Sequence, residues 1–176
     1  KEIIFNTVKH FDWVQLGAAL QHPEAGKAFD LSQQIAAETG VADANVKLIP
    51  WNGYGDRNIL FSLLENERPD AILHFTDPRY WIWMYQMENE IRQQCPLIFY
   101  TIWDDLPYPM YNKSFYESCD ALLAISKQTE NINRSVLGKE IASEKIIKYI
   151  PHGINEKFFF PITSEHIEYL ALQDFK

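Results

Sequence analysis

A parallel β-sheet with helices on both faces is the fold class that this chain predicts, and three observations predict it. Runs such as Pro96-Leu97-Ile98-Phe99-Tyr100-Thr101-Ile102 are apolar on both faces, which in water requires a strand sandwiched between helices. Segments with apolar residues at helical spacing separate these runs. The connections are short and carry proline, glycine and capping residues, so strands and helices alternate along the chain.

The elements follow in order. Ile3–Val8 reads as a first strand, too apolar for an exposed edge. Phe11–Gln21 is ambiguous between a loop and a loose helical turn. From Pro23 a helix is expected, with Ala28, Leu31 and Ile35 on one face and Gly40 as its C-cap. Val46–Pro50 is a short strand ended by its proline. The turn-rich stretch Trp51–Asp56 leads into a helix capped by Asp56, with Ile59, Leu60, Leu63 and Leu64 at helical spacing until Pro69. Asp70–Phe75 is the next strand. Asp77-Pro78 then pairs an N-cap with proline at the first helical position, and Tyr80, Met84, Met87 and Ile91 form one helical stripe, with Glu88 and Arg92 as an i,i+4 pair.

After the strand at Pro96, a short helix is expected near Asn112–Ser118 and a strand at Ala121–Ile125. Ser126 caps a helix running to about Leu137, with Gly138 after it. Lys139–Glu144 is a further helical turn, Ile146–Ile150 a strand, and Ser164–Phe175 a terminal helix.

Composition limits the partners. The 176 residues suit one domain with a proper core, and 47% hydrophobic with 14% aromatic residues exclude disorder. A net charge of −8 and a pI near 5.1 argue against nucleic acid or an anionic membrane surface as partner. Cys95 and Cys119 have neither C-x-x-C nor metal-ligand spacing; reduced core thiols in a cytoplasmic protein are expected. No apolar run reaches transmembrane length, and no signal peptide opens the chain. Lys1-Glu2 leads straight into the first expected strand, as in a chain cut within a fold.

Right-handed crossovers bring the C-terminal ends of parallel strands to one edge. Those ends read His74-Phe75-Thr76-Asp77-Pro78-Arg79, Trp103-Asp104-Asp105, Ser126-Lys127 and His152-Gly153-Ile154-Asn155. Four polar exits along one edge predict a cleft for a polar ligand. Each residue has a plainer reading beside it. His74 ends a buried strand and is either a satisfied core histidine or a ligand contact. Asp77 and Ser126 are sufficiently explained as N-caps. Arg79, disfavoured in the first turn of a helix, calls for an anionic partner, either a ligand or Asp104 or Asp105. Gly153 is read as serving a tight turn. Neither G-x-G-x-x-G, G-x-x-x-x-G-K-[ST] nor G-x-S-x-G is present.

Three motifs in order carry a resemblance: Tyr100-Thr101-Ile102-Trp103-Asp104, Ala124-Ile125-Ser126-Lys127-Gln128-Thr129, and Tyr149-Ile150-Pro151-His152-Gly153-Ile154-Asn155 with Phe160-x-Pro. Together they resemble the N-terminal half of nucleotide-sugar glycosyltransferases of the two-Rossmann-domain (GT-B) type, family 4, over nearly the whole chain. The strongest piece is Pro-His-Gly-Ile-Asn…Phe-x-Pro, similar to that family's Pro-Asn-Gly-Val-Asp…Phe-x-Pro junction.

The resemblance implies a Rossmann-like domain that binds the sugar acceptor. The nucleotide-sugar donor would sit in a second domain, and transfer would retain anomeric configuration, with no metal or other cofactor. It assigns Asp104 as the catalytic candidate. The cleft would be lined by His74, Asp77, Arg79, Trp103, Asp105, Ser126, Lys127, His152 and Asn155. In these roles Asp104 hydrogen-bonds acceptor hydroxyls, while Arg79 and Lys127 face the donor phosphates.

Trp103 stands where the family usually has histidine, so that histidine's role does not carry over. His152 and Asn155 replace the commoner Asn and Asp, and no glutamate pair has the second domain's E-x7-E spacing. The resemblance further implies a domain over 1–163 lacking its first strand and glycine loop, and a linker helix over 164–176 toward an absent donor domain. As a fragment it is expected to be inactive. The complete enzyme would be a cytoplasmic hexosyl-type transferase acting on a glycan or polysaccharide, with peripheral membrane contact compatible. The alternatives are a sugar-nucleotide epimerase and a non-catalytic sugar- or partner-binding module.

Overall fold

The computed structural model describes residues 1–155 and 159–164. Its largest unit is a four-stranded, wholly parallel sheet in the order β4 (Ile72–His74), β5 (Leu97–Thr101), β6 (Ala121–Ala124), β7 (Ile146–Tyr149). Parallel neighbours need crossovers, and helices supply them. These are α4 (Ile82–Tyr85) and α5 (Glu88–Arg92), then α6 (Lys113–Glu117), then α7 (Lys127–Leu137) and α8 (Lys139–Glu144). The protein is thus a Rossmann-like α/β fold, as its sequence predicts.

Side-chain alternation along the strands decides what the helices cover. Leu97, Phe99, Leu122 and Ile147 join Ile91, Tyr116, Ile132 and Val136 in the main core, each at most 4% exposed. The intervening Tyr100 points to the opposite face, where its hydroxyl donates to the Ile150 carbonyl at 2.5 Å. Ile98 and Leu123 on that face are half-buried, whereas Ile146 at the edge is 60% exposed. Cys95 and Cys119 are free and buried, and burial pushes the Cys119 thiol up to about 12.

A smaller sheet has the order β1 (Trp13–Gly17), β3 (Val46–Pro50), β2 (Phe29–Asp30), with β1 parallel and β2 antiparallel to β3. Leu16 and Ala18, at the end of β1, pack on the main core. Behind this sheet, Ile4, Val8, Ile35, Ala44 and Val46 form a second cluster between α1 (Glu2–Thr7) and α2 (Ser32–Thr39).

The capping residues act as expected. The Asp56 carboxylate accepts from the Asn58 and Ile59 amides at 2.8 and 3.1 Å and starts α3 (Arg57–Glu67). Gly40 closes α2 at φ 76°, a conformation that costs glycine little.

Four expectations are corrected. Ile3–Val8 is not a strand: Glu2–Thr7 is helical because Ile4 and Val8, four apart, share the face that meets Ile35 and Val46. The ambiguous stretch Phe11–Gln21 holds strand β1. The helix expected from Pro23 begins only at Ser32, since Gly26 turns the chain at φ 87° and Phe29–Asp30 pairs with β3. The helix over Tyr80–Ile91 is a 3₁₀ turn, Pro78–Trp81, followed by two short α segments. Met84, Met87 and Ile91 are buried, but Tyr80 is not. The expected helix Ser164–Phe175 falls, beyond Ser164, outside the described residues.

Leu122 is fully buried at the centre of the sheet, and Ile146 at its edge is exposed. Leu122→Ala is expected to lower unfolding free energy by about 3 kcal/mol, and Ile146→Ala by under about 1 kcal/mol, both read from urea denaturation.

Candidate functional site

The exits of β4, β5 and β6 lie along one edge of the parallel sheet, and each positions its polar residues differently. At the end of β4 the backbone alternates His74 inward and Phe75 outward. His74 is 5% exposed, with its Nδ1 at 2.7 Å from the Tyr85 hydroxyl and its Nε2 at 2.9 Å from Thr76 Oγ1. Its ring packs on Phe99 and Trp81. Burial lowers its pKa to about 4, opposed only in part by the Asp77 charge. His74 is therefore a neutral, doubly bonded core histidine.

Asp77 caps the 3₁₀ turn, accepting from the Arg79 amide at 2.9 Å. The same carboxylate takes the Arg79 guanidinium in a fork, Nε at 3.0 and 3.1 Å and Nη2 at 2.5 Å. The Arg79 side-chain hydrogen bond holds the Asp77 carboxyl below its ordinary value, and the pairing raises Arg79. The anionic partner that Arg79 requires is thus Asp77, two residues back, and neither Asp104 nor Asp105. This bidentate bond occupies much of the charge that a phosphate would need.

Beyond β5 the chain folds on itself. The Trp103 indole donates to the Asp105 carbonyl at 3.0 Å, and Tyr111 meets the Trp103 ring edge-on at 5.6 Å. Trp103 is half-buried against the main core, so its bulk fastens the loop down. Asp105 Oδ1 accepts from the Leu106 amide at 2.8 Å. The Asp104 main-chain carbonyl accepts from Gln128 Nε2 at 2.6 Å, which ties the β5 exit to the start of α7. The Asp104 carboxylate stands exposed, with no hydrogen bond among the described residues.

At the end of β6, Ser126 Oγ accepts from the Thr129 amide at 3.0 Å and contacts Thr129 Oγ1 at 2.9 Å. It is a helix cap. Lys127 follows, exposed. After β7 the chain turns to the other face of β5: His152 stacks on Tyr100 at 5.2 Å and leans on Phe75 at 5.7 Å. Asn155 is half-buried, and its carbonyl accepts from the Phe159 amide at 2.9 Å. Gly153 has no positive φ and open space around it, so the tight turn read from the sequence does not require it.

The structure therefore brings Asp104 together with the Lys127–Gln128 turn, and Asp77 with Arg79. His74 is placed inside the core, and His152 on the face opposite Phe99. Sequence reasoning passed over Thr76 and Gln128, and reached Tyr111 only as the end of the loop Leu106–Tyr111, expected to help set specificity. Gln128 sits in the first turn of the Ser126-capped helix, facing the β5 exit, and that position was the one available signal. Among the described residues no group of three or more His, Cys, Asp or Glu side chains is arranged to hold a metal ion, and no helix is long and apolar enough to cross a membrane. Comparison with protein-family models, with curated proteins and with solved structures returned no match.

Two outcomes follow. The folded-state value of His74 lies below the 6.5 of an exposed histidine, so the unfolded chain takes up its proton first as pH falls. The stability tied to neutral His74 is complete above pH 6.5 and declines toward pH 4, by about 3 kcal/mol in all. Urea unfolding of His74→Gln between pH 7.5 and 4.5 is expected to lose this slope. Ser126→Ala is expected to cost about 1 kcal/mol in the same assay, and Ser126→Asp to retain the cap.

Proposed function

We propose that the edge formed by the exits of β4, β5 and β6 is the acceptor-binding side of a nucleotide-sugar-dependent glycosyltransferase. One observation carries the reading. Asp104 is presented at the tip of a buried central strand, its backbone held by Gln128, with its carboxylate free of protein partners among the described residues. An ionised carboxylate accepts hydroxyl hydrogen bonds strongly, and the strand ends of a parallel sheet are where such folds hold ligands. The motif order of the sequence, from Tyr100–Asp104 to the Pro151–Asn155 run, supports the same assignment.

In this reading Asp104 orients and polarises the acceptor hydroxyl, and Lys127, exposed beside Gln128, offers a cation at the same edge. Arg79 has a lesser part than the sequence suggested, because Asp77 engages it. Trp103 shapes the loop. The donor would be held by a second domain, with transfer retaining anomeric configuration. A second reading, a sugar-binding module without catalysis, is favoured by one fact: His74 is sealed in the core, which leaves few titratable groups free at this edge.

The test uses the longest natural chain that contains these residues. Release of nucleoside diphosphate from a panel of UDP- and GDP-hexoses, with oligosaccharide acceptors, is measured for the wild type and for Asp104→Asn. Losing the charge-assisted bond is expected to lower the rate about tenfold to a hundredfold. Equal rates would remove Asp104 from the site.

A further inference from the structure

Helix α3 ends on an arginine where glycine or asparagine is the common choice. Arg68 is held there in the left-handed region, at φ 45° and ψ 57°, a conformation strained for a residue with a Cβ. What the strained turn achieves is placement. Arg68 joins Glu65 and the buried Leu64, from the last turn of α3, in lining a cavity of about 320 Å³ that Pro69 and Gln94 complete. Pro69 and Gln94 precede β4 and β5, so the cavity lies at the N-terminal edge of the parallel sheet, opposite the exits that carry Asp104.

The two charges in the cavity are uncommitted. Glu67, close by in sequence, is taken by Lys47 at 2.7 Å. Glu65 and Arg68 are three apart, a spacing at which helical side chains meet. Yet among the described residues neither has an ion pair or a side-chain hydrogen bond. The left-handed turn takes Arg68 off the helical path, and the opposite charges stay separate. The last carbonyls of α3 add partial negative charge at the same end.

We infer that this cavity binds a small aliphatic α-amino acid as its zwitterion. The Arg68 guanidinium suits the carboxylate, which it can take in a fork. The Glu65 carboxylate and the negative end of α3 suit the ammonium group. Leu64 and Pro69 give the aliphatic side chain an apolar wall. A simple anion would satisfy Arg68 but meet Glu65, and a simple amine would satisfy Glu65 but meet Arg68. The volume of about 320 Å³ stands at the small end of ligand pockets and leaves no room for a nucleotide or an oligosaccharide. The inference is independent of the acceptor reading, since the two sites occupy opposite edges of the sheet.

Calorimetric titration of the chain with L-leucine, L-isoleucine and L-valine tests this. Each is run beside the acid that lacks its amino group and the amine that lacks its carboxyl, isocaproate and isoamylamine in the case of leucine. At least one amino acid is expected to bind saturably, with both of its analogues about tenfold or more weaker. Arg68→Gly is expected to weaken that amino acid about tenfold or more, with the urea midpoint unchanged or raised, because glycine takes the left-handed turn without strain. Glu65→Gln is expected to weaken it by a similar factor while the deaminated acid binds no worse than before. Should Arg68→Gly disturb the fold, Arg68→Asn, which also suits the left-handed turn, takes its place. Absence of saturable binding by all three amino acids overturns the inference. So does an amino acid that binds no better than either analogue, or one whose affinity survives the Arg68 or the Glu65 substitution.

Discussion

The structure depends on one strand being dry. β5 lies between β4 and β6, with Leu97, Phe99 and Tyr100 each at most 4% exposed. Thr101, its last residue and itself buried, takes a hydrogen bond from Asn133 and gives one to the Leu123 carbonyl. A strand so enclosed cannot slide, because a one-residue shift would exchange its two faces. Its exit is therefore fixed in space, and that fixity gives Trp103-Asp104-Asp105 a defined direction. Gln128 and the Trp103 indole continue the restraint as far as Asp105, four residues beyond the strand.

The polar groups at the edge divide by whether the protein already satisfies them. His74 has a partner on each ring nitrogen, Ser126 has its cap, and Asp77 and Arg79 satisfy each other. Buried or paired groups of this kind support the fold, and their pKa shifts report burial and pairing, not chemistry. Asp104 and Lys127 remain, with the outer faces of Tyr80 and Tyr111. The site that results is open, with one carboxylate and one lysine at one end and exposed aromatic rings at the other.

Much of this was legible in the sequence, for identifiable reasons. The strands at Leu97 and Ala121 are apolar on both faces, and that pattern has one common solution in water. Asp56, Asp77 and Ser126 announced their helices because a cap is a local interaction that needs no tertiary context. Ile3–Val8 misled because its β-branched run also places Ile4 and Val8 on one helical face, and packing against Ile35 chose between the two. Arg79 misled for another reason: a fork to a residue two positions away is invisible when partners are sought only across the cleft. The Tyr54–Tyr80 stack joins turns 26 residues apart, and only the fold brings them together.

The central claim is that the acceptor meets this protein at the exits of β4 and β5. Hydrogen–deuterium exchange of the chain, with and without a saturating oligosaccharide, tests it most directly. The account predicts slowed exchange confined to the segments around residues 75–81 and 102–112, with the strands themselves unchanged. Protection centred instead on β7 and the opposite face of the sheet, around Tyr100 and His152, would contradict it.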